Sequence, residues 1–84
     1  MKNDYKIYWL ISEDKLKTYV GFSSRLEERL KEHKNKKVKS TKNFGNFKNH
    51  ILEKTFTLKE AREREKYWKS HIGRKKLKQL FKKI

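Results

Sequence analysis

Two segments rich in β-forming residues, separated by a polar stretch of four residues, constrain the fold more than any other feature. Residues 5–11 are almost entirely Tyr, Ile, Trp and Leu, and residues 16–22 place Leu, Thr, Val and Phe on one alternating face. The polar residues 12–15 lie between them. This pattern predicts an antiparallel hairpin whose apolar surface must be covered by the rest of the chain.

A capping box and a third β-rich segment follow the hairpin. Ser24 with Glu27 is the capping-box spacing, and predicts a helix that runs to about residue 34. The basic stretch 35–47 predicts a loop with a helical turn. Residues 49–56 predict a third strand, since Ile51, Leu52 and Thr55 are strand formers.

A second capping box at Thr57 predicts a helix to about residue 72, ended by Gly73. Residues 74–84 predict a final helix with one apolar face, formed by Leu77, Leu80, Phe81 and Ile84. The order is therefore β-β-α-β-α-α. We expect an α+β fold, a three-stranded antiparallel sheet flanked by helices, in one domain over residues 1–84.

The charge of the chain indicates a polyanionic partner. Its 84 residues include 25 Lys or Arg against 10 Asp or Glu, a net charge of +15. Residues 33–52 contain six lysines and no acid, and residues 66–84 contain eight Lys or Arg and no acid. Nucleic acid is the expected partner, with an acidic membrane surface or mere surface solvation as alternatives.

Other compositional facts exclude several classes of protein. The absence of cysteine excludes a disulfide scaffold, a Cys-ligated zinc finger and a cysteine nucleophile. No apolar run approaches the roughly 18 residues that a membrane span needs. We therefore expect a cytoplasmic protein that does not act in a membrane.

Polar side chains break the apolar pattern of both predicted long helices. On a helical wheel, Arg29 and His33 share the face of Leu26 and Leu30. They could be a solvent-reaching arginine and a hydrogen-bonded core histidine, or functional groups. Glu65 similarly falls on an apolar stripe, where a carboxylate needs either an ion pair, with Arg29 or a lysine, or a hard cation such as Mg²⁺.

The predicted hairpin pairs two tyrosines. If residues 12–15 form a four-residue loop, Tyr8 lies directly opposite Tyr19 on one face of the sheet, with Gly21 beside them. Such a pair can simply stabilise the sheet. It can also present two phenols on a surface, where Gly21 would let a substrate backbone approach closely.

These residues carry a resemblance to the GIY-YIG nucleases. The tripeptide 6–8 (KIY), the tripeptide 19–21 (YVG), Arg29 and His33 match that family's motifs in order and spacing, and the segment 63–69 resembles the one that supplies its glutamate, at Glu65. The resemblance covers nearly the whole chain and is nearest to small stand-alone bacterial members. It departs at Lys6, at Phe22, and in lacking an asparagine after Glu65.

The resemblance implies a metal-dependent endonuclease that hydrolyses phosphodiester bonds in DNA rather than RNA, with DNA repair as one setting. Glu65 would hold one Mg²⁺ or Mn²⁺ ion, and Arg29 would stabilise the transition state. Tyr19 would accept a proton from the attacking water, Tyr8 would orient that water, and His33 would contact the phosphate or act as an alternative base.

Substrate affinity would come mainly from phosphate contacts of lysines in the basic loop. The alternative to an endonuclease is a non-catalytic, basic nucleic-acid-binding module on the same fold. The expected substrate-binding residues are Lys34, Lys36, Lys37, Lys39 and Lys42. A second basic strip on the final helix comprises Lys75, Lys76, Lys78, Lys82 and Lys83.

Overall fold

The computed structural model describes residues 4–83 and contains the expected order of strands and helices. A single turn of 3₁₀ helix, Lys39–Thr41, interrupts the basic loop, as its sequence predicts. The α+β fold is therefore confirmed. The elements are β1 (Tyr5–Ser12), β2 (Thr18–Ser23), α1 (Leu26–Lys34), β3 (Phe47–Thr55), α2 (Leu58–Lys69) and α3 (His71–Phe81).

The sheet has the order β2-β1-β3, with both neighbours antiparallel to the central strand β1. Alternate residues of β1 point to opposite faces, so β1 supplies two separate cores. One core, packed under α2 and α3, contains Ile7, Trp9, Ile11, Val20, Ala61, Trp68 and Leu77. The other, on the side of α1 and the basic loop, is built on Tyr8, Leu10 and Phe44.

The expected hairpin forms, but its register differs by two residues from the expected one. Tyr8 lies opposite Gly21, and Tyr19 lies opposite Leu10. The loop keeps four residues and sits one position later, because the backbone N–H of Ser12 bonds to the carbonyl of Lys17 at 2.9 Å. The Ser12 hydroxyl also accepts from the Lys17 N–H at 3.0 Å, which fixes this closure.

Helix α1 ends at Lys34 as expected, but Ser24 does not cap it. The N-cap is Arg25, which makes no capping hydrogen bond through its side chain. The Ser23 hydroxyl instead accepts the Arg25 backbone N–H at 2.9 Å. The serine turn is thus one residue earlier than the capping box predicts.

The predicted boundary between the last two helices is wrong. The Thr57 cap is confirmed, since its hydroxyl accepts the Glu60 N–H at 3.1 Å, but α2 ends at Lys69. Ser70 terminates α2 and caps α3. Gly73 lies inside α3, and a Cβ there would clash with the Tyr67 carbonyl oxygen. The glycine therefore permits close helix contact rather than a helix stop.

Helix α3 buries less of its apolar face than expected. Leu77 is buried, Phe81 is half-buried, and Leu80 is 39% exposed. Ile84 lies outside the described residues. Strand β3 begins at Phe47, two residues earlier than predicted. Within residues 4–83, no helix has the length and apolar character needed to cross a membrane.

Candidate active site

The two predicted tyrosines meet on one face of the sheet. Their ring centroids lie 6.1 Å apart, with Tyr8 fully buried and Tyr19 half-buried. A Cβ on Gly21 would come within 2.8 Å of both the Tyr19 ring and the Tyr8 hydroxyl. The space beside Gly21 is therefore filled by the tyrosines and is not left open for a substrate backbone, which was one of the two interpretations of this pair.

His33 of α1 reaches across to Tyr8 through the core. Its Nε2 lies 2.8 Å from the Tyr8 hydroxyl, and its Nδ1 lies 2.6 Å from Oγ1 of Thr41. His33 and Thr41 are each only 2% exposed. Both ring nitrogens are occupied, so the histidine orients Tyr8 and is shielded from a substrate phosphate.

One assignment of hydrogens satisfies every group in the buried series of hydrogen bonds from Thr41 through His33 to Tyr8. The Thr41 hydroxyl donates to the carbonyl of Val38 at 3.5 Å and accepts from Nδ1–H of His33. The unprotonated Nε2 then accepts the Tyr8 O–H. The Tyr8 oxygen keeps its lone pairs for a neighbouring donor.

Burial controls the protonation of these two groups. It raises the pKa of Tyr8 to about 12, an effect that the nearby Arg29 guanidinium only partly opposes. Burial lowers the pKa of His33, and the positive charge of Arg29 lowers it further. Tyr8 is thus a protonated phenol and His33 a neutral imidazole near neutral pH.

Arg29 lies between these buried groups and solvent. Its Nη1 donates to Oε1 of Glu32 at 2.8 Å, and its side chain is 38% exposed. Glu32, followed by the Tyr8 hydroxyl, holds the pKa of Arg29 above its usual value. Arg29 is therefore a permanent cation beside both tyrosines, close enough to solvent to meet a phosphate.

Glu65 lies on α2, which packs on the opposite face of the sheet, and Lys69 connects it to the tyrosine face. Its Oε2 lies 3.5 Å from Nζ of Lys69, one helical turn later, and its side chain is 25% exposed. Nζ of Lys69 also lies 5.7 Å from the centroid of the Tyr19 ring. Of the partners that the sequence left open for Glu65, the structure shows a lysine and not Arg29, which bonds to Glu32.

The chemistry of Glu65 suits a hard divalent cation. Mg²⁺ keeps several waters and binds through one or two carboxylates together with substrate phosphates, so a single, partly exposed carboxylate is a sufficient protein ligand. No cluster of three His, Cys, Asp or Glu side chains that could hold a metal ion exists among residues 4–83. Any further ligands would come from substrate and water.

The five lysines expected to bind substrate are all exposed, with Lys34 at the end of α1 and the other four on the segment between α1 and β3. Thr41 and Phe44 hold this segment on the tyrosine face, through the His33 contact and through the core of Tyr8 and Leu10. The basic loop therefore borders the candidate site. The lysines of α3 are also exposed, but α3 packs on the opposite face of the sheet.

The sequence did not predict two residues of the candidate site, Thr41 and Lys69. Thr41 gave no signal, because a threonine in a basic loop has no distinguishing pattern. Lys69 could have been found, since it follows Glu65 at the i, i+4 spacing of helix ion pairs. A groove of about 410 Å³ near Ile11 and Phe47 includes none of the five predicted site residues.

Comparison with known proteins identifies one match. A family model described as the GIY-YIG catalytic domain matches residues 4–78. No curated protein and no solved structure gives a significant match to the chain. The matched range includes the tyrosine pair, α1, the basic loop and Glu65.

Proposed function

The chain belongs to the GIY-YIG family of metal-dependent nucleases, and from that premise we propose that it is an endonuclease that cuts DNA with Tyr8, Tyr19, Arg29 and Glu65, with His33 positioning Tyr8. The observation that supports this assignment best is the convergence of four of these residues on one face, with Glu65 linked to that face by Lys69. A catalytic-domain match favours this reading over a non-catalytic binding module.

The two tyrosines have different roles in the proposed mechanism. Tyr19 is half-buried and can accept a proton from an attacking water, directly or through a second water. Tyr8 is fully buried, and its pKa of about 12 makes it a poor base. With its proton held by His33, Tyr8 fixes the orientation of the groups around the water.

Charge stabilisation falls to Arg29 and Glu65. Arg29 places a permanent positive charge where negative charge develops on the phosphate in the transition state. A Mg²⁺ or Mn²⁺ ion held by Glu65 would supply Lewis-acid stabilisation of the same phosphate. The exposed lysines of the basic loop would hold neighbouring phosphates without reading sequence.

Cleavage of supercoiled plasmid tests the proposal. We expect the wild-type protein to nick plasmid with Mg²⁺ or Mn²⁺ and not with EDTA, and Glu65→Ala to lose this activity. Glu63→Ala is the matched control, because Glu63 lies exposed on the same helix. Equal cleavage by Glu65→Ala and wild type would refute Glu65 as the metal ligand.

A parallel assay tests the choice of nucleic acid. A single strand, a duplex and a flapped duplex would be presented as DNA and as RNA of the same sequence, under the same metal and salt. Faster cleavage of the DNA forms supports the proposal. Salt-sensitive binding of every form without any cleavage would support the non-catalytic binding module instead.

A further inference from the structure

Lys69 joins two groups of the proposed site that come from different elements. Its ammonium lies 3.5 Å from the Glu65 carboxylate on α2 and 5.7 Å from the centre of the Tyr19 ring on β2. A positive charge thus stands between the proposed metal ligand and the proposed base. No other cation contacts Glu65 among the ion pairs of residues 4–83.

The geometry of the contact makes Lys69 easy to displace. A separation of 3.5 Å is long for a charged hydrogen bond, and 49% of the lysine side chain is exposed. Ion pairs of this kind contribute little free energy. The flexible four-carbon stem of a lysine also lets its ammonium move several ångströms without any backbone change.

We propose that Lys69 fills the cation position beside Glu65 in the free protein, and that it transfers to a phosphate of the substrate when a divalent cation takes the carboxylate. This inference rests on the proposed role of Glu65 as metal ligand. Its physical basis is that two cations compete for one carboxylate, while a bound DNA phosphate supplies the displaced ammonium with a new anion.

Binding of Mn²⁺ to the free protein, without DNA, tests the competition. Free Mn²⁺ is followed by electron paramagnetic resonance in titrations of wild type, Lys69→Gln, Lys66→Gln and Glu65→Gln. Lys66 is the matched control, since it is an exposed lysine on the same helix beside Glu65. We expect Lys69→Gln to bind Mn²⁺ about two- to fivefold tighter than Lys66→Gln, the range that an exposed ion pair can supply.

The outcomes separate this inference from the proposed function. If Glu65→Gln binds Mn²⁺ as well as wild type does, the proposed metal ligand is wrong. If Glu65→Gln loses binding while Lys69→Gln and Lys66→Gln bind equally, the metal ligand stands and the competition is refuted. Weaker binding by Lys69→Gln would also refute it.

The transfer to phosphate has its own test. At saturating Mn²⁺ and saturating DNA, we expect Lys69→Gln to cleave about tenfold more slowly than Lys66→Gln, a smaller loss than that of a rigid transition-state donor. Lys69→Arg should recover part of the rate, because it restores the charge. Equal rates for Lys69→Gln and Lys66→Gln would refute the transfer.

Discussion

The two faces of strand β1 have different physical tasks, although their residues alternate along the same eight positions. The face under α2 and α3 is apolar, with Ile7, Trp9 and Ile11 packed against both helices. The opposite face carries Tyr8 and Leu10, and adds a chain of hydrogen bonds through His33. Burial of apolar area stabilises the first face, whereas the second depends on satisfying buried polar groups.

This difference predicts which substitutions should change stability and which should change activity. A truncation on the apolar face removes buried area and leaves a cavity, so it acts on the whole fold. A change to a half-exposed polar group on the tyrosine face, which we propose to be catalytic, removes a chemical contact and little else. Substitutions on the two faces should therefore differ in whether they change the free energy of unfolding or the rate of cleavage.

Truncation of Trp9 should be the most damaging change to stability. Trp9 is 2% exposed and lies 6.2 Å, centroid to centroid, from Phe81 of α3. We expect Trp9→Ala to lower the free energy of unfolding by about 3–5 kcal/mol, measured by urea denaturation. Tyr19→Phe, on the other face, should lower it by less than about 1 kcal/mol. Similar losses for the two variants would contradict this difference between the faces.

Removal of Arg29 should reduce the rate of cleavage far more than it reduces stability. We expect Arg29→Ala to cleave about 10²- to 10³-fold more slowly, as for a lost transition-state contact, with almost the wild-type denaturation midpoint. Arg25→Ala is the control, because Arg25 is an exposed arginine at the N-terminal end of the same helix, paired to Glu28 at 3.5 Å. If the free energy of unfolding fell by as much as the activation free energy rose, Arg29 would be a structural residue.

A methyl group at Gly21 should disturb both properties. The added Cβ would lie 2.8 Å from Tyr19 Cε2 and from the Tyr8 hydroxyl, so the rings must shift. We expect Gly21→Ala to lower the free energy of unfolding by about 1–3 kcal/mol, the cost of overpacking. Cleavage should slow as well, since Tyr8 loses its alignment with His33. Unchanged rate and stability would mean that the tyrosines are free to move.

The smallest effect should be a slope in stability against pH. The pKa of His33 is lowered by burial from its usual 6.5. Above pH 6.5, His33 is neutral in both the folded and unfolded states. As the pH falls below 6.5, His33 becomes protonated in the unfolded state and stays neutral in the folded state. The free energy of unfolding therefore falls until the pH reaches the lower pKa of folded His33.

Urea denaturation between about pH 5 and 7.5 measures that slope. The variant His33→Gln cannot titrate at this position, so its stability should vary less with pH than that of wild type over the same range. His50 and His71 remain in both proteins and do not contribute to the difference. Parallel curves for the two proteins would show that His33 titrates normally.

Sequence periodicity predicted the elements because each has a strong local signal. The hairpin, the Thr57 cap and the inward position of His33 follow from alternation, capping chemistry and a helical wheel. The failures depend on contacts between distant residues. Gly73 resembles a helix stop in sequence, and only the nearby backbone of Tyr67 and Trp68 shows that it allows a close approach.

The site was predicted less completely than the fold. Tyr8, Tyr19 and His33, which motif spacing predicted, lie together on one face of the sheet, but Thr41 lies eight positions after His33 in an irregular loop, and no local pattern links them. The hairpin register was also missed, because the Ser12 hydroxyl that fixes the closure looks like any polar turn residue. Long-range hydrogen bonds of this kind leave no periodic signature.

The pairing of Tyr8 with Gly21 has a consequence for how this hairpin avoids misassembly. A register shifted by one residue would place the two tyrosines on opposite faces of the sheet, because side chains alternate along a strand. Registers shifted by two residues keep both tyrosines on one face, and would place Tyr19 or Ser23 opposite Tyr8 instead of Gly21. Of these three partners, only glycine lacks a side chain where the Tyr8 ring must lie. Gly21 therefore selects among the registers that this alternation alone leaves equivalent.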